Sequence, residues 1–356
     1  MGMTMTRTAL HLFPTFAIGG TQRRFAQVAR GVPGWRHVIV PFDGVTDAYR
    51  LLNGVERDYR RASLRRSGGL SWSNVSTLQM LIRGVSPHLL CTYGWGSMAG
   101  VLANRTGPNV PHLHLEDGFS KDEAARELTG RRLVRRLLLG LGGPHLAVPS
   151  DGLTMTARRR WRVPSHRLHR IDNGVDLDRF VPQEDRPAKA VYLGTLRPEK
   201  NVARLVQAAN ETGVSLDIWG LGPDLLKLHA LAGSTVRFRG ETDKPERALA
   251  EAGVLALSSD TEQMPLTVLE AMAAGMPVVS TDVGDVATML SATNRPFVTP
   301  LGDDAAFAGA LLTLTNDRAL AARIGAANRA EAEARFGLDK MVQAHASLMD
   351  LVASKA

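Results

Sequence analysis

Cysteine is nearly absent: Cys91 is the single thiol in 356 residues. One thiol excludes an intrachain disulfide framework and any multi-cysteine metal site, and it agrees with a reducing cytoplasm. Aromatics are also scarce, at 5%. No apolar run approaches the ~18 residues that a membrane-spanning helix needs. Met1 to Phe16 holds one arginine and no clean apolar stretch, so no secretory signal is expected. Met1-Gly2 with Thr6 has the spacing of a myristoylation site, a short pattern that is frequent by chance. There is no low-complexity tract and no short-period repeat.

What is present reads as globular: 44% hydrophobic and 22% charged residues. The length exceeds one ordinary core and fits two domains of about 150–180 residues. The net charge of +8 is unevenly spread. Residues 1–170 hold 25 Lys/Arg against 10 Asp/Glu, and the remainder holds 18 against 25. Opposite signs suggest two domains with different partners. The basic half suits phosphates, anionic lipid or nucleic acid. An arginine-rich surface arising from composition alone explains the charge equally well. No helix-turn-helix, aromatic platform or zinc pattern supports nucleic acid.

Both halves alternate short apolar runs with helical stretches, as a parallel sheet requires. The first opens with Leu10–Phe13, a Gly19-Gly20 pair and a helix from Gln22, followed by strands over His37–Pro41, His88–Thr92, Pro111–Leu115 and His145–Pro149. Helices are expected over Ser73–Arg83 and Leu128–Leu141. The polar Pro182–Pro187 segment is the expected linker. A second alternating set starts with a strand over Ala190–Leu193 and runs to a strand over Pro277–Thr281.

The most informative stretch is Ala256–Asp285. A strand ends at Ser258, a polar loop follows, and Pro265 opens a helix whose apolar positions include Leu266, Leu269 and Met272. Gly275 and Pro277 end it before the next strand. The loop therefore lies at the carboxyl edge of a parallel sheet, where ligands of α/β proteins bind. The helix start offers unpaired N–H groups and a positive dipole end to a phosphate. Glu262 and Glu270 bracket that start, with seven residues between them. At this spacing one can face a sugar while the other reaches a ribose. The alternative is a solvated loop glutamate and an ordinary surface one.

This stretch resembles the glutamate–seven–glutamate signature of GT-B retaining glycosyltransferases, family 4. The match runs through Leu269–Val279 and Asp282-Val283-Gly284. The resemblance implies an α/β GT-B fold: two Rossmann-like doubly wound domains facing across a cleft. It places an acceptor domain at 1–175, a nucleotide-sugar domain at 186–335, and a helix at 336–356 packing back toward the first domain. It implies that Glu270 bonds the nucleotide ribose, that Glu262 bonds a donor-sugar hydroxyl, and that the backbone at Met264, Pro265 and Leu266 caps the diphosphate. Gln263-Met264 replaces the family's usual Gly-Phe.

Val191–Asn201 resembles the family's loop after the first strand of the second domain, with Gly194 and the phosphate-binding Lys200. Thr195 stands where arginine is usual, and Arg197, two residues on, is the candidate to supply that guanidinium. Fixed cations aimed at the departing diphosphate stabilise the transition state by roughly 3 kcal/mol per well-placed group. No metal-ligand cluster is evident, so these cations are expected to act in place of a metal, and no cofactor is expected. Gly220 belongs to a second glycine-rich turn, Gly19 and Gly20 to a loop that the resemblance sets against the donor, and Ile171–Phe180 to the interdomain crossing.

The acceptor half is less marked. In His112–Phe119, alternation puts His112, His114 and Glu116 on one side of a strand. Glu116 and Asp117 are candidate catalytic groups by the resemblance. The two histidines read as core residues rather than metal ligands. Arg131–Leu139 is a basic amphipathic stretch suited to an anionic membrane surface or to a core-packed helix with a solvated arginine face. The expected activity is transfer of a sugar from a nucleotide diphosphate, UDP before GDP, to a glycan or lipid-linked acceptor, in the cytoplasm or at the inner membrane face. A non-catalytic nucleotide-sugar-binding subunit and a sugar-nucleotide epimerase are the alternatives.

Overall fold

The computed structural model describes residues 6–62, 64, 70–119, 123 and 127–354. Met1-Gly2, the start of the myristoylation spacing, lies outside the described residues. The chain divides into two units, residues 1–172 with 339–356, and residues 173–338.

The first unit holds seven parallel strands: β1 (Arg7–Phe13), β2 (Trp35–Pro41), β3 (Arg57–Tyr59), β4 (Leu89–Tyr93), β5 (His112–Leu115), β6 (His145–Val148) and β7 (Leu168–Arg170). Their spatial order is 3-2-1-4-5-6-7. Helices α1 (Gly20–Gly31), α2 (Trp72–Val85), α3 (Met98–Arg105), α4 (Thr129–Arg135) and α5 (Asp151–Arg159) supply the crossovers. The inner strands are buried on both faces and largely apolar, with His11, His37, Thr92, His112 and His114 as buried polar exceptions. The edge strands β3 and β7 are only partly buried and carry Arg-Asp-Tyr and Leu-His-Arg, so no apolar pattern marks them.

The second unit has six parallel strands: β8 (Ala190–Leu193), β9 (Leu216–Trp219), β10 (Val236–Gly240), β11 (Val254–Leu257), β12 (Val278–Thr281) and β13 (Val298–Thr299). They are ordered 10-9-8-11-12-13, which is the doubly wound order 3-2-1-4-5-6. Helices α6 (Val202–Thr212), α7 (Leu225–Leu231), α8 (Pro245–Ala250), α9 (Leu266–Ala273), α10 (Val286–Met289), α11 (Asp304–Asn316) and α12 (Arg318–Arg335) pack on two faces. One face is a core of Val268, Leu269, Met272 and Phe336, the other of Leu205, Ile218, Phe307 and Leu311. The last helix, α13 (Leu338–Ala353), belongs to the first unit from Asp339 onward. There it buries Met341, His345, Leu348 and Met349, and its Asp350 pairs with Arg7 at 2.6 Å.

The stretch expected as one helix over Leu128–Leu141 is α4 followed by a wider turn over Arg136–Gly140. One position departs from an ordinary amphipathic helix: Val134, Leu138 and Leu139 face the core and Arg132 and Arg136 are exposed, but an arginine joins the core side. Arg135 is fully buried, while Leu133 and Leu137 are exposed beside Arg132 and Arg136. The cause is a counter-charged cage: Arg135 bonds Glu123 at 2.9 and 3.0 Å and Glu127 at 3.2 Å. The rings of Trp95, Phe119 and Trp161 lie 5.1–5.4 Å from its guanidinium. Burial opposes the charge, but the three carboxylates of Glu116, Glu123 and Glu127 outweigh it and raise the pKa.

Candidate functional site

In the second unit the strand order reverses between β8 and β11, so their carboxyl ends open a crevice at the topological switch point. The loop after β8 runs through Gly194 and Thr195 to a short turn over Pro198–Lys200. Asn201 ends that turn at φ +40°, a left-handed position asparagine tolerates, and its side chain caps α6 by accepting from Arg204 N–H. The turn points Lys200 at the β11 loop, where Nζ donates to Glu262 Oε1 at 2.5 Å. Ser259 Oγ donates to the same carboxylate oxygen at 2.7 Å. Lys200 and Glu262 thus meet from two loops, 62 residues apart in sequence.

Each neighbouring loop is pinned by groups that face inward. Thr281 Oγ1 donates to Ser259 O at 2.5 Å, and Asp285 N–H to Gln263 O at 2.8 Å. Asn173 Nδ2 donates to Met264 O at 2.7 Å. Gly284, at φ +56°, lies against the loop so closely that a Cβ would sit 2.5 Å from the carbonyl oxygens of both Glu262 and Gln263. On the other side Gly220, at φ +144°, crosses so near Gly194 O that a Cβ would come within 1.8 Å. The two glycine loops are therefore packed backbone to backbone. Arg204 joins α6 to the β11 loop through Ser258 O at 2.8 Å and Asp260 at 2.9 Å, and reaches Asp304 at 2.7 Å. Burial works against its charge, yet the bonds to Asp304 and Asp260 raise its pKa. Tyr192 lies beneath, its hydroxyl donating to Thr195 O at 3.0 Å, and burial followed by the charges of Glu262 and Glu199 raises its pKa.

The expected residues fall as follows. Gly194, Lys200, Gly220, Glu262, Met264, Pro265 and Leu266 line or support the switch-point loops. Pro265 precedes α9 as its cap at ψ 126°, one position earlier than expected, and the helix opens at Leu266. Thr195 and Arg197 are exposed, and among the described residues no side-chain bond holds Arg197. Glu270 is half-buried within α9, whose Val268, Leu269, Ala271, Met272 and Ala273 are buried on nearly every side. Sequence reasoning missed Asn173, Ser259, Arg204 and Asp260. Asp176-Leu177-Asp178 has Asp-x-Asp spacing, but Asp176 Oδ1 accepts the N–H groups of Asp178 and Arg179, as a turn residue does.

In the first unit, Asp117 follows β5 and reaches α1, where Thr21 Oγ1 donates to it at 2.6 Å and Arg24 forms an ion pair. The Gly19 position caps α1 and Gly20 is exposed at its start. Gln22 folds back to Thr15 O at 2.9 Å. Glu116 does not share the surface with Asp117. It is 1% exposed and turned inward to Arg135 at 3.7 Å and His114 at 3.9 Å. His112 and His114 both bond Thr92 Oγ1, at 2.9 and 2.8 Å, and burial pushes His112 down to about 3.

Two family models cover most of the chain: Glycosyltransferase Family 4 over residues 18–179 and Glycosyl transferases group 1 over 187–317. A GDP-mannose-dependent alpha-mannosyltransferase of Mycobacterium tuberculosis is 29% identical over 48% of this chain and 60% of its own. A D-inositol 3-phosphate glycosyltransferase of Streptomyces avermitilis is 28% identical over 73% of this chain and 61% of its own. The chain thus spans less than two thirds of these relatives. Among solved structures, Anabaena Alr3699/HepE in complex with UDP and glucose superposes with a TM-score of 0.82 at 17% identity, over 97% of this chain and 100% of that one. Sucrose-phosphate synthase from Thermosynechococcus elongatus gives 0.78 at 19% identity, over 98% and 100%. These structures share the GT-B fold with this chain.

Proposed function

Because the chain belongs to the group 1, family 4 glycosyltransferases, we propose that it transfers a sugar from a nucleotide diphosphate to a hydroxyl acceptor with retention of configuration. The observation that carries this is the Lys200–Glu262 contact of 2.5 Å at the switch point. A cation suited to phosphate beside a carboxylate suited to a hydroxyl matches the junction where a donor's sugar meets its diphosphate. Lys200, Arg197 and the N-terminus of α9 meet the charge on the departing diphosphate, without a metal. Glu262 orients the sugar and Glu270 the ribose. The acceptor hydroxyl attacks the anomeric carbon on the face the phosphate leaves. The new C–O bond forms as the C–O bond to phosphate breaks, and the phosphate oxygen takes the acceptor proton.

UDP is the first expectation for the base, supported by the UDP and UDP-glucose bound to Alr3699/HepE, and GDP the second, supported by the mannosyltransferase relative. The acceptor is a glycan or a lipid-linked sugar, met in the cytoplasm or at the inner face of a membrane. We assign the acceptor contact to Asp117, held after β5 by Thr21 and Arg24, because Glu116 is buried. The test is a thermal-shift panel of UDP, GDP, ADP, TDP and CMP. A ligand at a hundred times its dissociation constant adds about 2.7 kcal/mol. One diphosphate raising the melting temperature by several degrees is expected. No shift with any would favour a non-catalytic role. NMR of the product's anomeric proton reads retention.

A further inference from the structure

We infer that α4 and the end of α5 form a binding surface for the phosphate headgroups of an anionic bilayer. Arg132 and Arg136 on one side, and Arg159, Arg160 and Arg162 on the other, surround an open cavity of about 340 Å³ with Leu133 in its wall. Among the described residues this lining carries no acidic side chain. Glu127, the carboxylate beneath it, is committed to Arg135 and to Trp161 Nε1 at 2.6 Å, and stands 3.8 Å from Arg160. Arg160 faces Glu127, while Arg132, Arg136, Arg159 and Arg162 have no acidic partner among the described residues, so several anionic oxygens can be bound at once.

The backbone is specific about this placement. Trp161 is fully buried, which fixes the arginines on either side of it, and Arg162 sits at φ +60°. Glycine or asparagine occupies that left-handed region at less cost; Arg162 takes it just after the end of α5, as Ser86 does after α2.

A bilayer explains the leucines, which a free phosphate does not. Leu133 is 57% exposed and Leu137 46%, one helical turn apart on the side that carries Arg132 and Arg136. Leu128 and Leu141, which flank the helical stretch, are also exposed. Guanidiniums at phosphate level with leucines just below it is the arrangement of an interfacial helix. With Arg135 on the core side together with Leu138 and Leu139, Leu133 and Leu137 are left on the solvent side. This inference deepens the membrane-face part of the proposed function. Its test reads binding without turnover, so its failure leaves the donor site untouched.

The experiment is sedimentation of the full chain with vesicles of phosphatidylglycerol and phosphatidylcholine, against phosphatidylcholine alone, at low and high salt. Binding to the anionic vesicles only, weakened by salt, is expected. Replacing Arg132 and Arg136 by Gln should weaken it at least about tenfold, since each arginine near an anionic surface is worth roughly a fivefold change. Leu133→Ser with Leu137→Ser should weaken it too, and Arg50→Gln with Arg83→Gln, exposed arginines elsewhere on the unit, should not. Absence of binding at low salt, or equal loss with the Arg50 and Arg83 pair, overturns the inference. Displacement by millimolar pyrophosphate with no effect of the leucine pair would assign the site to a free phosphate and equally overturn it.

Discussion

Lys200 Nζ and Glu262 Oε1 stand 2.5 Å apart, and Ser259 holds the same oxygen at 2.7 Å. Groups that share one contact do not act additively. Lys200→Ala and Glu262→Gln should each lower turnover more than tenfold. The double variant should lose clearly less than the product of the two. Steady-state rates with a saturating donor check this, and wild-type-like rates in both single variants would remove these residues from the site.

Asn173 bears on the same loop from outside the motif. Its Nδ2 is the donor to Met264 O, and both residues are buried. Truncation leaves that carbonyl without its bond, a cost of about 1–3 kcal/mol. Asn173→Ala should lower the unfolding free energy by that amount and weaken nucleotide binding, while leaving the rate at saturation nearer to wild type than Glu262→Gln does. An unchanged nucleotide affinity would show that the clamp does not serve the donor loop.

Gly284 tests the loop packing. Any Cβ there meets two carbonyl oxygens at 2.5 Å on a left-handed backbone. Left-handed strain alone costs about 1–3 kcal/mol at such a position. Gly284→Ala should therefore destabilise the second unit and weaken binding of the diphosphate, read by chemical denaturation and by thermal shift. The same change at Gly213, also left-handed but with open space around it, should cost less and leave binding intact.

These residues mark where the sequence was legible. The two glutamates stand out by their place in a strand–loop–helix unit, and Lys200 and the glycine turns by their resemblance to family 4 loops. The groups that hold them do not, because Asn173, Ser259, Arg204 and Asp260 are ordinary polar residues until the fold brings them together. The inner strands were legible as apolar runs, whereas β3 and β7 are edge strands with polar residues and gave no period. Glu116 and Arg135 misled for one reason. Alternation says which residues share a side, but not that a cage of Glu116, Glu123, Glu127 and three aromatic rings makes an arginine an interior residue.

Cys91 is buried on β4, and burial pushes its thiol pKa up, so it stays protonated and unreactive in the native state. A disulfide reagent at pH 8 should label it at the rate of global unfolding. Rapid stoichiometric labelling of the folded chain would contradict its placement.

The first unit should also be acid-sensitive through its buried histidines. His11 Nδ1 meets Tyr93 Oη and His11 Nε2 meets His37 Nδ1, each at 2.9 Å, within the core. Burial, and for His11 also the neighbouring His37, keeps these rings neutral. His37 falls to about 4, His112 to about 3 and His345 to about 3, and His11 lies well below 6.5. With folded values below the unfolded 6.5, the unfolded chain binds more protons between the two, so stability rises with pH there. It is complete above pH 6.5 and is lost as pH falls, toward 4 for His37 and toward 3 for His112 and His345. His37 alone accounts for on the order of 3 kcal/mol across that window. Denaturation midpoints should drop steeply between pH 6.5 and 4. His37→Gln should flatten the slope, because a side chain that never titrates leaves no proton for the unfolded state to gain.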